Sequence, residues 1–514
     1  MKIVSNINIH SPKTFLYFVL PLILTVIVVR GMAGEKIAIY DGAGWDGSIY
    51  RSIASEFNEK ILLKYYHSYR LQRVLPYAVQ NGIFNFFRIQ KTNKNLMTGA
   101  QIMNFLILCT GVIFFFRIAN LMNLSMPLRI IGFAAVFFIY PVLKLLGYYP
   151  FLTDTYAYTL AIMQVFYFLS EKKAKLILIS IIGAFIWPTL LMSGLLLACM
   201  PRSPFTIDEK LKVHDKLILI IVKSGCILAV PILFLWMLLC KPVALKNCYH
   251  GARYLNNFML GVSLFGVTAY IFMILLLIRI SVIANIKKFV MTLKVKNIIL
   301  FFLSILTVRL IMRFFSSGHI HITFNELLKQ RIITPSTVNP LVFLVSNFMY
   351  YGFAVILIMT NWKQFLQTCA SYGYGFFAVI SLGLMMSLNS ESRHLIAFTP
   401  FFIFPLLRCL SGRRGETVSF PAAILFVCAS LILSQFWYTI NVPGIEEAFK
   451  NPELGGMGQY QDFPAQRYFG MTGAWMSHKM YWIYLIVFIA SFVVYKFLPC
   501  IEKVIYKKTH TMNL

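Results

Sequence analysis

The sequence predicts an all-α polytopic membrane protein. Three observations carry that expectation. Of 514 residues, 59% are hydrophobic and 13% charged, and the mean hydropathy is +0.73. A soluble chain of this size cannot cover so much apolar surface with so few polar groups. The apolar residues fall in runs of about 20, the length a helix needs to cross a bilayer. The excess of 47 Lys and Arg over 18 Asp and Glu gathers between those runs, as it does in cytoplasmic loops facing anionic lipid. The same charge on a soluble chain suggests nucleic acid; here the membrane accounts for it, and no nucleic-acid partner is expected.

About twelve spans are expected, at 15–29, 97–116, 130–147, 152–170, 217–239, 258–278, 298–315, 341–360, 372–388, 395–410, 419–438 and 480–499. The first, Phe15–Val29, lacks a convincing small-residue cleavage site and reads as a retained helix. A further apolar stretch, 176–200, is interrupted at Trp187-Pro188-Thr189. The charge clusters decide its course. Lys172, Lys173 and Lys175 precede it; Arg202, Lys210, Lys212 and Lys216 follow it. Both clusters, and those at 279–296, 413–414 and 503–508, lie inside only if 176–200 enters and leaves on one side. Two half-helices turning at Pro188 satisfy that condition, since proline breaks the hydrogen-bond ladder. Both termini are then cytoplasmic.

This topology divides the chain into 1–200, with a long first outer segment at 31–96; variable spans over 201–440; a second outer segment at 441–479; and a last helix with a basic tail at 480–514. The nine cysteines are scattered, with no Cys-x-x-Cys, and read as small apolar residues. No phosphate-binding loop, dinucleotide fingerprint, hydrolase elbow or His-Glu-x-x-His occurs. His319 and His321 lack a carboxylate at suitable spacing for zinc.

The first outer segment is too long to be a connector. Asp41-Gly42 and Asp46-Gly47 are turn pairs. Ile49, Ile53, Phe57 and Ile61 then recur at helical spacing. Arg70 and Arg73 are three apart and share a helical face, beside Tyr69. Val74–Phe87 is short and apolar, as an interfacial helix is. A carboxylate facing Arg and Tyr at a lipid surface suits a hydroxyl acceptor and a phosphate-bearing lipid donor: Asp takes a proton, Arg neutralises phosphate. Turn aspartates and interfacial Arg and Tyr are also ordinary at membrane surfaces.

Gly44-Trp-Asp-Gly-Ser-Ile-Tyr50 and Tyr69-Arg-Leu-Gln-Arg-Val-Leu-Pro76 resemble the YDGQFYY and YRYQRILYP motifs of a bacterial family of multispanning cell-surface glycopolymer proteins. That family in turn resembles glycosyltransferases of the GT-C fold. The likeness extends to about residue 200. It departs at Ile49, where the family has an aromatic, and at Trp187-Pro188-Thr189, where the family often carries a charge. The resemblance implies an integral membrane glycosyltransferase at the outer face of a bacterial inner membrane. Its donor is a polyprenyl-phosphate sugar and its acceptor a glycan or lipid-linked glycan. It implies Asp46 as base, with Asp41 in reserve, inversion at the sugar carbon, and Asp154 as a second acidic residue holding a divalent metal or orienting Arg70 or Arg73. Tyr50 and Tyr69 sit within the matching motifs.

Other candidates lie near the outer ends of later spans. Arg309 and Arg313 share one helical stripe and need a partner or cavity in lipid, a phosphate among them; snorkelling is the alternative. Arg393 and His394 stand in a short outer loop beside Glu391, Arg393 as phosphate ligand or ion-pair partner. Two rival functions remain open at this level: a polymerase or ligase of lipid-linked oligosaccharide, and a lipid-linked sugar transporter or flippase. The absence of an internal repeat counts against the transporter.

Overall fold

A computed structural model describes residues 12–205, 286–317, 339–389, 391–412, 418–441, 476 and 478–511. The expected spans 217–239 and 258–278, His319 and His321, and nearly all of the second outer segment lie outside the described residues. Every regular element among the described residues is helical.

Among the described residues three helices are long and apolar enough to cross a membrane: α1 (Pro12–Ala33), Asn93–Leu121 and Val295–Phe315. The pair Met126–Phe137 and Pro141–Tyr148 makes a fourth if taken as one span bent by 52°. Ten of the twelve expected spans fall among the described residues, several of them as bent or shorter helices. The expected span 130–147 bends because Pro141 cannot continue the ladder. The span 341–360 breaks at Gly352, whose φ of 74° is outside the helical region. The helices at 374–386, 399–411 and 420–433 have 10–17 residues.

The first outer segment is built as its periodicity suggests. It forms α2 (Trp45–Ser55), a π-turn Asn58–Leu62, α3 (Ser68–Leu71) and α4 (Leu75–Phe86). Ile53, Ile61, Leu71, Tyr77 and Phe84 close a small core of their own. Val79, Ile83, Phe86 and Phe87 stay exposed along one side of α4, in keeping with an interfacial helix.

The centre of the molecule is α6 (Asp154–Leu169), reached after α5 (Asn93–Leu121). Leu160, Ala161, Ile162, Val165, Phe166 and Phe168 on every side of α6 are buried, the pattern of a helix surrounded by protein. The break at Pro188 is present. α7 (Lys173–Gly183) and α8 (Thr189–Cys199) lie side by side, Gly183 against Leu190 and Gly194 against Ser180. The close approach needs glycine at 194, where a Cβ would overlap the Ser180 side chain. Gln164 of α6 clamps this hairpin: its Nε2 donates to Ser180 Oγ (3.0 Å) and Leu190 O (2.7 Å), and its Oε1 accepts from Ser193 Oγ (2.9 Å). Buried polar groups that bond each other in this way avoid the desolvation cost of an unpaired amide.

At the opposite end of the first outer segment, Glu35 accepts from Lys144 Nζ (2.7 Å), Ile440 N (2.7 Å) and Asn441 N (2.8 Å). The start of the second outer segment is thereby tied to the start of the first.

Candidate active site

Asp46 is the second residue of α2, where a carboxylate gains from the exposed N–H groups and the helix dipole. Its placement depends on the glycines around it. Gly44 has φ of 70°, and a Cβ there would run into the Tyr149 ring. A Cβ on Gly47 would come within 2.8 Å of Phe151 Cβ. The open space lets Tyr149 reach the helix start, where its hydroxyl accepts from Asp46 N (3.1 Å) and Gly47 N (3.4 Å).

Three guanidinium groups converge on the Asp46 carboxylate. Arg70 Nη1 donates to Oδ1 at 2.6 Å, Arg393 Nη2 to Oδ2 at 3.2 Å, and Arg73 Nη1 lies 3.7 Å from Oδ2. Arg70 comes from α3, whereas Arg73, expected on the same helical face, falls in the turn after it; both still reach the carboxylate. Arg393 comes from a 3₁₀ turn, Ser392–Leu395, before Thr399–Ser411. Burial by itself would push the Asp46 carboxyl up; Arg393, then Arg70 and Arg73, outweigh it and hold Asp46 well below the usual carboxylate range. A carboxylate so stabilised is ionised at physiological pH and is a weak base.

Each arginine is itself positioned. Arg73 lies 4.4 Å from the Trp187 ring centre and 5.7 Å from that of Tyr69, geometry that favours a cation over an aromatic face. Its Nη1 also reaches the Tyr50 hydroxyl at 3.4 Å. Tyr50 is fully buried and stacked on Tyr77 at 5.0 Å, and burial pushes its phenol up, so it stays neutral. Tyr69 also sits 5.5 Å from Arg70. Arg393 Nε faces Glu391 at 3.5 Å. His394 pairs with Asn389 (2.7 Å) and turns its ring edge to Trp187 at 6.2 Å. The tip of the hairpin thus inserts between the first outer segment and the 391–394 turn, and Leu75 N donates to Phe185 O (3.0 Å) at that tip.

No known protein family, curated protein or solved structure matches the chain.

The candidates from sequence separate cleanly in space. Asp46, Arg70, Arg73, Tyr50, Tyr69, Arg393 and His394 meet in one cluster. Asp154, at the head of α6, is 5% exposed and within electrostatic reach of Arg393 and Arg73; neither of its carboxylate oxygens has a hydrogen-bond partner among the described residues. Asp41 is elsewhere. It sits in a turn with φ of 50°, its side chain 78% exposed and 3.9 Å from Arg51. Arg309 and Arg313 are exposed on Val295–Phe315, and neither is among the groups that meet Asp46. Among the described residues no group of three His, Cys, Asp or Glu could hold a metal ion. Trp187 and Tyr149 were not candidates from sequence. Trp187 takes the place where the resemblance implies a charge, and its signal was the Trp-Pro pair at the break.

An apolar cavity of about 250 Å³, whose wall includes none of the cluster's own side chains, is lined by Leu344, Tyr351, Val355, Leu384, Leu395 and Phe402 among others. Tyr351 links the two: its hydroxyl donates to Ser392 O (2.6 Å), the residue before Arg393.

Proposed function

We propose that the chain is an integral membrane glycosyltransferase of the GT-C type, moving a sugar from a polyprenyl-phosphate carrier to a cell-surface glycan at the outer face of a bacterial inner membrane. The observation that carries this reading is the triple guanidinium cluster on one carboxylate, joined through the Tyr351–Ser392 hydrogen bond to the wall of an apolar cavity. An anion on a hydrocarbon chain is the ligand that both halves suit. Arg70, Arg73 and Arg393 bind the phosphate, and the cavity takes the first isoprene units.

In the reaction Asp46 accepts the proton of the acceptor hydroxyl. The acceptor oxygen forms its bond to the anomeric carbon as the bond from that carbon to the phosphate oxygen breaks. The electron pair leaves with the phosphate, whose growing charge the three arginines stabilise. Attack opposite the departing phosphate inverts the sugar carbon. Asp154 adds a second carboxyl within electrostatic reach of Arg393 and Arg73.

The test is transfer from a lipid-linked sugar in membranes. Asp46→Asn is expected to lose about a hundredfold or more, the usual range for removing a general base, while Asp41→Asn retains activity. Full activity of Asp46→Asn removes Asp46 as base.

A further inference from the structure

Asp46 sits at the meeting point of three guanidinium groups. Its two oxygens take up Arg70, Arg393 and Arg73 at 2.6, 3.2 and 3.7 Å. Among the described residues, groups from several elements surround it. The Tyr149 hydroxyl accepts from its backbone N–H, the Tyr50 hydroxyl takes Arg73, Glu391 takes the Nε edge of Arg393, and Asp154 lies within electrostatic reach of Arg393 and Arg73. The Asp46 side chain is 26% exposed, so the cluster opens to a ligand on one side.

The geometry points to Asp46 as an internal stand-in for the donor phosphate: a phosphate ester displaces it from the guanidinium groups, and this exchange frees Asp46 to take the acceptor's proton. The inference rests on the reading above and adds an order to it, donor before acceptor. Its physical basis is competition for the same cations. A phosphate monoester or diester brings more acceptor oxygens than a carboxylate and suits the guanidinium fork. Once the cations are shared, Asp46 keeps the cost of burial and loses part of its compensation, so its affinity for a proton rises. The two effects are reciprocal: whatever loosens Asp46 from the arginines tightens phosphate binding.

The full-length protein in detergent micelles tests this with citronellyl phosphate and inorganic phosphate as probes, by calorimetry. Asp46→Asn and Asp46→Ala are expected to bind both probes about tenfold more tightly than the unmodified chain, inside the span usual for coupled sites. Unchanged or weaker binding overturns the exchange, because Asp46 then orients the arginines instead of competing for them. Thermal unfolding in the same detergent checks that the variants are folded. A readout on the unmodified protein keeps the test open if they are not: the ¹³C carboxyl resonance of Asp46 is expected to titrate at higher pH with citronellyl phosphate bound, and an unmoved titration overturns the exchange. The same data separate the two readings. A preference for citronellyl over inorganic phosphate supports a lipid-borne donor; equal affinity sinks that donor and leaves the exchange to be judged on the variants.

Discussion

Arg393 is 347 residues from Asp46 along the chain and 3.2 Å from it in space, Nη2 to Oδ2. The contact joins the first outer segment to a turn more than two-thirds of the way along the sequence. It makes the site a property of the whole helical assembly and not of the motif-bearing segment alone.

Arg393→Ala is expected to lower sugar transfer about a hundredfold, the scale seen when one donor to a developing negative charge is removed. Arg309→Ala and Arg313→Ala, exposed and away from Asp46, are expected to stay within about twofold. Initial rates in membrane vesicles compare the three.

Trp187→Ala removes the ring beneath Arg73. A cation over an aromatic face is worth roughly 0.5–2 kcal/mol. The KM for the lipid donor is expected to rise about fivefold with a smaller change in kcat, and Trp187→Phe is expected to restore most of the loss. An equal fall in kcat with unchanged KM would contradict a phosphate-positioning role for Arg73.

Gly44→Ala forces a side chain into a backbone at φ of 70° against the Tyr149 ring. Positive φ and overpacking together cost about 2–4 kcal/mol. The melting temperature in detergent is expected to fall. Gly82→Ala is the control, since a Cβ there meets nothing within 4 Å.

The Asp46 carboxyl is lowered by its arginines. A lowered carboxyl stabilises the fold above its unfolded value of about 3.9 and loses that contribution as pH falls toward its folded value. The gap in melting temperature between the unmodified chain and Asp46→Asn is therefore expected to be constant from about pH 5 to 8 and to close below about pH 4. A gap that widens on acidification would mean that Asp46 is not held by cations.

A reporter fused after residue 205 is expected to give a cytoplasmic signal. The α7–α8 hairpin then returns to the side it entered from. A periplasmic signal would move every later basic cluster to the wrong face.

Much of the local architecture was readable from the chain. Apolar spacing marked α2 and α4, Pro188 marked the hairpin, and the three-residue spacing of Arg70 and Arg73 placed both on one side. Other features had no linear signal. Gln164 reads as an ordinary polar residue in an apolar run until Ser180, Leu190 and Ser193 surround it. Asp41 and Asp46 are alike as turn residues; they differ because Gly44 and Gly47 let Tyr149 hold one of them beside the arginines. The breaks at Pro141 and Gly352 within the expected spans 130–147 and 341–360 had no hydropathy signal, because hydropathy sums over a window and is blind to a single backbone break.

Composition and periodicity by themselves determined that this is a helical chain suited to a membrane, since apolar area and span length are sums over residues near in sequence. They also placed Asp46 and its first two arginines in one segment. Only the tertiary structure brought Arg393 and Trp187 into the cluster around Asp46 and left Asp41, Arg309 and Arg313 outside it. Electrostatic pairing acts across a few ångströms of space, and the packing of helices far apart in sequence decides which charges come that close.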